Sequence, residues 1–178
     1  MKKIIRKMLG DQNLGIIDFY RYPEWKKSWG GAFEGAFNGQ DFRCKIFSEL
    51  VDQFSFNAIF ETGTFHGSTT EYMSNISRLP IYTVEGHERT FGYCRARFWN
   101  NKLVNLSFGD SRLFLMRLLK DIKFQDVPIF FYLDAHWGQD LPLLEECKII
   151  LDHKIHAVIM VDDFEVVGDK GYKFDDYG

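Results

Sequence analysis

The sequence predicts an α/β fold with a mainly parallel sheet and helices on both faces. Three observations predict it. From residue 57 onward, five short apolar runs alternate with segments of helical length. Each run stops at a glycine or an acidic residue. Composition shifts once, near residue 55, where an aromatic, Gly-rich stretch gives way to that regular alternation.

The elements follow in order. The stretch from Tyr20 to Gln40 contains Trp25, Trp29 and the run GGAFEGAFNGQ, and its Gly-Gly and Asn-Gly pairs predict a loop. Asp41 is placed to cap a helix whose apolar residues Ile46, Phe47, Leu50, Val51 and Phe54 recur at helical spacing. The predicted strands are 57–61, 81–85, 103–108, 128–134 and 156–161. The helices between them are 68–77, 88–100, 111–119 with Ser111 as cap, and 140–151. Pro142 falls near the first turn of the last helix, where its missing N–H costs little. Right-handed crossovers then put helices on both faces of the sheet. The expected division is a cap or lid over 1–56 and a core over 57–178.

Composition narrows the function. The 178 residues are 46% hydrophobic and 17% aromatic, with 18 Phe, which suits one globular domain with a sizeable core. A net charge of −3 argues against a nucleic-acid binder, which needs a basic face. The local basic clusters, Lys2, Lys3, Arg6 and Lys7, then Arg95, Arg97 and Lys102, read as solvated helix faces. Cys44, Cys94 and Cys147 form no C-x-x-C pair, so buried reduced thiols are expected rather than disulfides or zinc. The apolar stretch of the first ten residues is broken by charge, unlike a signal peptide. No window approaches the ~20 apolar residues of a membrane span. The expectation is a soluble, cytoplasmic protein that binds neither nucleic acid nor membrane.

In open α/β sheets, ligands bind outside the carboxyl ends of the strands. The first strand here runs into Glu61-Thr62-Gly63, with Gly67-Ser68-Thr69 opening the next helix. Gly63 and Gly67 permit a tight turn and close backbone approach, and the helix behind offers free N–H groups. The second strand ends at Glu85-Gly86, where a carboxylate can accept both hydroxyls of a ribose. The third leads to Gly109-Asp110-Ser111, the fourth to Asp134-Ala-His136-Trp137, and the fifth to Asp162-Asp163.

In this order and spacing, residues 57–164 resemble the Rossmann-like core that binds S-adenosylmethionine (SAM) in class I methyltransferases. The resemblance implies that the turn at Glu61, Gly63 and Gly67 wraps the methionine part of the cofactor. It implies that Glu85 holds the ribose and that Asp110 and Ser111 meet the adenine. Thr62, Ser68, Thr69, Gly86, Gly109 and Asp134 complete the implied cofactor contacts. A nicotinamide dehydrogenase would instead carry G-x-G-x-x-G in the first turn, which this turn lacks.

The second half, with YLDAHW, LPLLEEC and VIMVDDF, is similar to the cation-dependent O-methyltransferases of catechol and macrolide-sugar type. Asp134 and Asp162 stand 28 residues apart, about one strand–helix–strand unit. Asp134, Asp162 and Asp163 are therefore expected to converge, and three crowded carboxylates stay ionised only beside a compensating cation. Oxygen ligands suit Mg²⁺ better than zinc. His136 is the candidate general base, since an imidazole ordinarily titrates near neutrality. The expected reaction is methyl transfer to a hydroxyl of a small molecule, such as a sugar, a diol or a catechol. Trp25, Trp29, Trp137 and the phenylalanines of GGAFEGAF are expected as an apolar lid or as core. Two rivals are a SAM-fold protein that binds without catalysis and a nucleotide-dependent oxidoreductase.

The resembling family completes its sheet with two further strands after the fifth. Only 15 residues follow Asp163 here. The expectation is a missing or truncated C-terminal antiparallel hairpin, and hence an exposed edge open to homo-oligomer formation.

Overall fold

The computed structural model describes residues 2–22, 28–29, 33–136 and 140–162. Its elements are helix α1 (Lys2–Arg21), a small antiparallel ladder of β1 (Ser28–Trp29) and β2 (Phe33–Glu34), and α2 (Asp41–Gln53). Then come β3 (Ala58–Thr62), α3 (Ser68–Ser77), β4 (Ile81–Glu85), α4 (Glu88–Arg97), β5 (Val104–Phe108), α5 (Ser111–Leu119), β6 (Ile129–Leu133), α6 (Leu143–Asp152) and β7 (Ala157–Val161). A 3-10 turn, Ala36–Gly39, precedes α2.

The five core strands form one parallel sheet in the order β5-β4-β3-β6-β7. Alternation along the strands sorts the core into two layers. Ala58, Phe60, Ile129, Phe131 and Leu133 pack with Phe114, Leu115, Leu118 and Ile150 of α5 and α6. The intervening Ile59, Phe130 and Tyr132 pack instead with Phe37, Phe47 and Met73, from the 3-10 turn, α2 and α3. Val104 and Leu106 of β5 pack under Tyr93 and Cys94 of α4 and its C-cap Phe98. Val104 pairs with Ile81, which faces the second layer, so α4 lies on the same side as α2 and α3. Helices therefore cover both faces, as the alternation predicts.

Several details depart from the sequence reading. Helix α1 occupies most of the segment ahead of the predicted loop and is kinked at Gly10 (φ 71°, ψ 155°). It packs against α4 at close range, since a Cβ on Gly15 would strike the Arg89 carbonyl and one on Gly92 the Gln12 carbonyl. Arg89 Nε donates to Asp18 at 2.5 Å across this contact. The loop predicted from Tyr20 to Gln40 contains the β1–β2 ladder and the 3-10 turn. Gln40, not Asp41, is the N-cap of α2, with no side-chain hydrogen bond. Asp41 sits in the first turn, where a negative charge favours the helix dipole. Phe54, expected on the buried face, is the C-cap and is exposed. Asp110 rather than Ser111 caps α5, and Pro142 is the N-cap of α6.

β3 occupies the centre. The chain fills the sheet to one side of it through β4 and β5, then returns to lay β6 and β7 on the other. The point where strand order reverses is therefore the gap between the carboxyl ends of β3 and β6.

Candidate functional site

At that gap the backbone is drawn tight. Asp134 N donates to Thr62 O at 3.0 Å, and Asp162 N to Leu133 O at 2.9 Å, so the segments leaving β6 and β7 continue the sheet's pairing. Gly63 lies directly against the main chain of Asp134, where a Cβ would run into the Asp134 carbonyl. Gly63 also has φ 83°, the left-handed region that a side chain disfavours. The turn it opens is pinned from β4: Gly63 N and Thr64 N both donate to Val84 O at 3.1 Å. Thr64 and Thr83 share a 2.6 Å hydroxyl hydrogen bond beneath it. At the far end Gly67, φ 81°, is the N-cap of α3, and a Cβ there would meet the Phe98 ring. Ser68 and Thr69 form the first turn of α3, and Thr69 Oγ1 accepts from Phe37 N at 3.0 Å.

The carboxylates around this turn are buried. Glu61 is 1% exposed; Thr70 Oγ1 donates to its Oε2 at 2.6 Å, and its Oε1 lacks a hydrogen-bond partner among the described residues. Desolvation pushes its pKa up to about 7. Glu85 accepts Phe65 N at Oε2 and His87 N at Oε1, both at 2.8 Å. It therefore stitches the end of β4 to the turn after β3. Burial pushes its pKa up to about 7 despite those amides. Gly86 follows it, exposed, and Gly109 N donates to Glu85 O at 3.1 Å.

Asp110 accepts from the backbone N–H of Arg112 and of Leu113 as the cap of α5, and it pairs with the Arg112 guanidinium at 2.5 Å. Arg112 holds the Asp110 carboxyl below the usual carboxylate range. The same guanidinium reaches Asp140 at 2.9 Å and Glu145 at 2.6 Å, tying α5 to the segment entering α6. Ser111 is buried beside it.

Asp134 is half-buried, with the Tyr132 hydroxyl 3.5 Å from its Oδ2. His136 is exposed two residues beyond. Asp162 is buried at the end of β7, where it pairs with Arg43 and accepts from Asn38 Nδ2 at 3.1 Å. Asp163, Trp25 and Trp137 lie outside the described residues, and Trp29 is described only as backbone in β1. Among the described residues, no three His, Cys, Asp or Glu side chains come together as a metal-binding group.

The structure thus brings Glu61, Thr62, Gly63 and Asp134 to the gap between β3 and β6, with Glu85 at the adjoining end of β4 and Gly109–Ser111 beside it. Two residues escaped the sequence reading. Glu146 of α6 is 0% exposed, takes a 3.2 Å hydrogen bond from Thr62 Oγ1, and has its pKa pushed up to about 7 by burial. Arg43 is the buried partner of Asp162. A signal exists for both. Glu146 stands three residues after Leu143 and four before Ile150, and Arg43 four before Phe47, in phase with the apolar stripe of each helix.

No family model matches the chain, and no curated protein matches it. Solved structures do. The O-methyltransferase TomG from Streptomyces achromogenes, in complex with SAM, matches with a TM-score of 0.56 at 18% identity, over 70% of this chain and 56% of its own. A methyltransferase from Podospora anserina, bound to S-adenosylhomocysteine (SAH), matches with a TM-score of 0.57 at 17% identity, over 84% and 62%. An O-methyltransferase from Bacillus cereus, in complex with SAH, matches with a TM-score of 0.55 at 18% identity, over 84% and 66%. This chain spans less than two thirds of the length of each of the three. With a parallel β5-β4-β3-β6-β7 sheet, helices on both faces and a glycine turn at its switch point, the chain has the Rossmann-like fold of class I SAM-dependent methyltransferases.

Proposed function

We propose that this chain is a SAM-dependent methyltransferase acting on a hydroxyl group of a small molecule. One observation carries the reading: the Gly63–Gly67 turn leaves β3 at the topological switch point, with the buried carboxylate of Glu61 at the end of β3 and that of Glu85 at the end of the adjoining β4. The residues present fit the cofactor. Glu61 Oε1 is a buried acceptor left without a partner among the described residues, and Gly63, at φ 83°, makes the tight turn beside it.

When bound, SAM supplies a methyl group on a sulfonium, ready for in-line displacement by an oxygen nucleophile. The protein's part is to hold and orient. Glu61, Thr62, Gly63, Gly67, Ser68 and Thr69 would take the methionine end, Glu85 and Gly86 the ribose, and Gly109, Asp110 and Ser111 the adenine. Asp134, at the mouth of the gap, would border the reacting atoms. His136, exposed just beyond, would accept the hydroxyl proton as general base.

The acceptor we favour is the one the resemblance implies, a sugar, a diol or a catechol-like molecule; the net charge of −3 suits no polyanionic partner. For the divalent cation that the resemblance implies, the donors would have to be Asp134, Asp162 and Asp163. Cys44, Cys94 and Cys147 are free thiols, which fits a cytoplasmic setting, and no described helix is long and apolar enough to cross a membrane.

Calorimetric titration of SAH tests the reading, with NADH titrated as the competing ligand. Saturable micromolar binding of SAH and none of NADH is expected. A folded sample that ignores SAH overturns the proposal. Given an acceptor, His136→Ala should lower kcat by about 100-fold, at the low end for loss of a general base, and leave SAH affinity unchanged.

A further inference from the structure

The resemblance that points to methyl transfer also implies a metal ion among the carboxylates at the ends of β6 and β7. Asp162, the donor at the end of β7, does not fit one. Asp162, 2% exposed, has both carboxylate oxygens engaged: Oδ1 by the guanidinium of Arg43, and Oδ2 by Asn38 Nδ2 at 3.1 Å. Arg43 is itself 3% exposed, on the inward face of α2. A divalent ion beside Asp162 would sit against that fixed positive charge, or push the guanidinium out of its ion pair into low-dielectric surroundings. Either is costly. The buried carboxylate of Asp162 already has its compensating cation within the chain, Arg43 of α2.

We propose that Arg43 supplies the positive charge that the resemblance assigns to a divalent cation at the end of β7, so that this chain binds its cofactor and works without a metal. The catalytic part of this inference rests on the methyltransferase reading above. The ion pair also acts as a clasp. Asn38 belongs to the 3-10 turn Ala36–Gly39, whose Phe37 N–H donates to Thr69 Oγ1 in the first turn of α3. The Phe37 ring, fully buried, meets Tyr132 of β6 edge-on at 5.1 Å. One short turn therefore touches α3, β6 and the residue ending β7. Arg43 and Asn38 are positioning residues: through Asp162 they hold the N-terminal segment against the wall of the gap that includes Thr69.

The test has two independent readouts on the whole chain after chelator treatment. Mn²⁺ binding is followed by the loss of the free-ion EPR signal, and SAH binding by calorimetry in EDTA and again in Mg²⁺. No saturable Mn²⁺ site up to millimolar concentration, and the same SAH affinity in both buffers, are expected. Arg43→Met should weaken SAH binding several-fold, while Arg43→Lys, which keeps the charge, should retain most of it. One-to-one Mn²⁺ binding by the unaltered chain that Asp162→Asn abolishes, or SAH binding lost in EDTA, would overturn the proposal. If Arg43→Met does not fold, the Mn²⁺ titration of the unaltered chain decides alone. SAH ignored in both buffers would sink the methyltransferase reading, and the Mn²⁺ result would still judge the site of Arg43.

Discussion

Three buried glutamates, Glu61, Glu85 and Glu146, have pKa values pushed up to about 7, in each case first by desolvation. For Glu146 the consequence for stability is direct. The folded protein accepts the protonated carboxyl and resists the ionised one. Its stabilising contribution is therefore complete below 4.5, its ordinary value, and is lost as pH rises to about 7. His66, pushed down to about 4 by burial, works in the opposite sense and costs stability as pH falls below its ordinary 6.5. Comparing the parent chain with Glu146→Gln isolates the glutamate. Urea denaturation at pH 5 and pH 8 should give Glu146→Gln a relative gain at the higher pH of up to about 3 kcal/mol, at 1.36 kcal/mol per pKa unit. An identical pH slope in both proteins would refute this. The residues at strand ends were legible in the sequence because a fold of this class exposes them at one edge. Glu146 and Arg43 were not, because a charged side chain within a helix reads as solvent-facing until its phase is compared with its apolar neighbours.

Among the elements, the core strands were the most legible. β3, β4 and β6 are apolar, buried on nearly every residue and bounded by turn signals, so their predicted and observed limits agree within a residue. Helix caps were less so: whether Asp110 or Ser111 caps α5 depends on which residue leaves the helical conformation first, and Asp110 does. The helical extent of α1 escaped because Gly10 and Gly15 interrupt its pattern. Gly15 makes sense only beside Gly92 of α4, far away in sequence. The two helices touch backbone to backbone, so bulk at this crossing should be poorly tolerated. Gly92→Ala should cost about 1–3 kcal/mol, the usual range for overpacking, as α1 is levered off α4. Thermal and urea unfolding measure it, and a change below a few tenths would mean that α1 does not pack as described.

At the scale of the whole molecule, the alternation of strand and helix predicted parallel pairing and two helical layers, and both are present. The central place of β3 is a property of the assembled sheet, since local pattern does not say to which side the chain returns after β5. The candidate cofactor residues come from both halves of the sheet, so ligand should stabilise the domain as a unit. At SAH concentrations near one hundred times Kd, the unfolding free energy should rise by about 2.7 kcal/mol. Chemical denaturation with and without SAH checks this; a saturated protein with an unmoved midpoint would contradict it.

The strand order bears on how this protein is made. β3 is the first core strand to be synthesised, yet one of its two edges stays unpaired until β6 has emerged from the ribosome. Until then the nascent chain can form only the half-sheet β3-β4-β5, with Phe60 and Ile59 of its future centre at an open hydrogen-bonding edge. The strand that ends at the centre of the sheet is thus, during translation, one that waits with a pairing edge open.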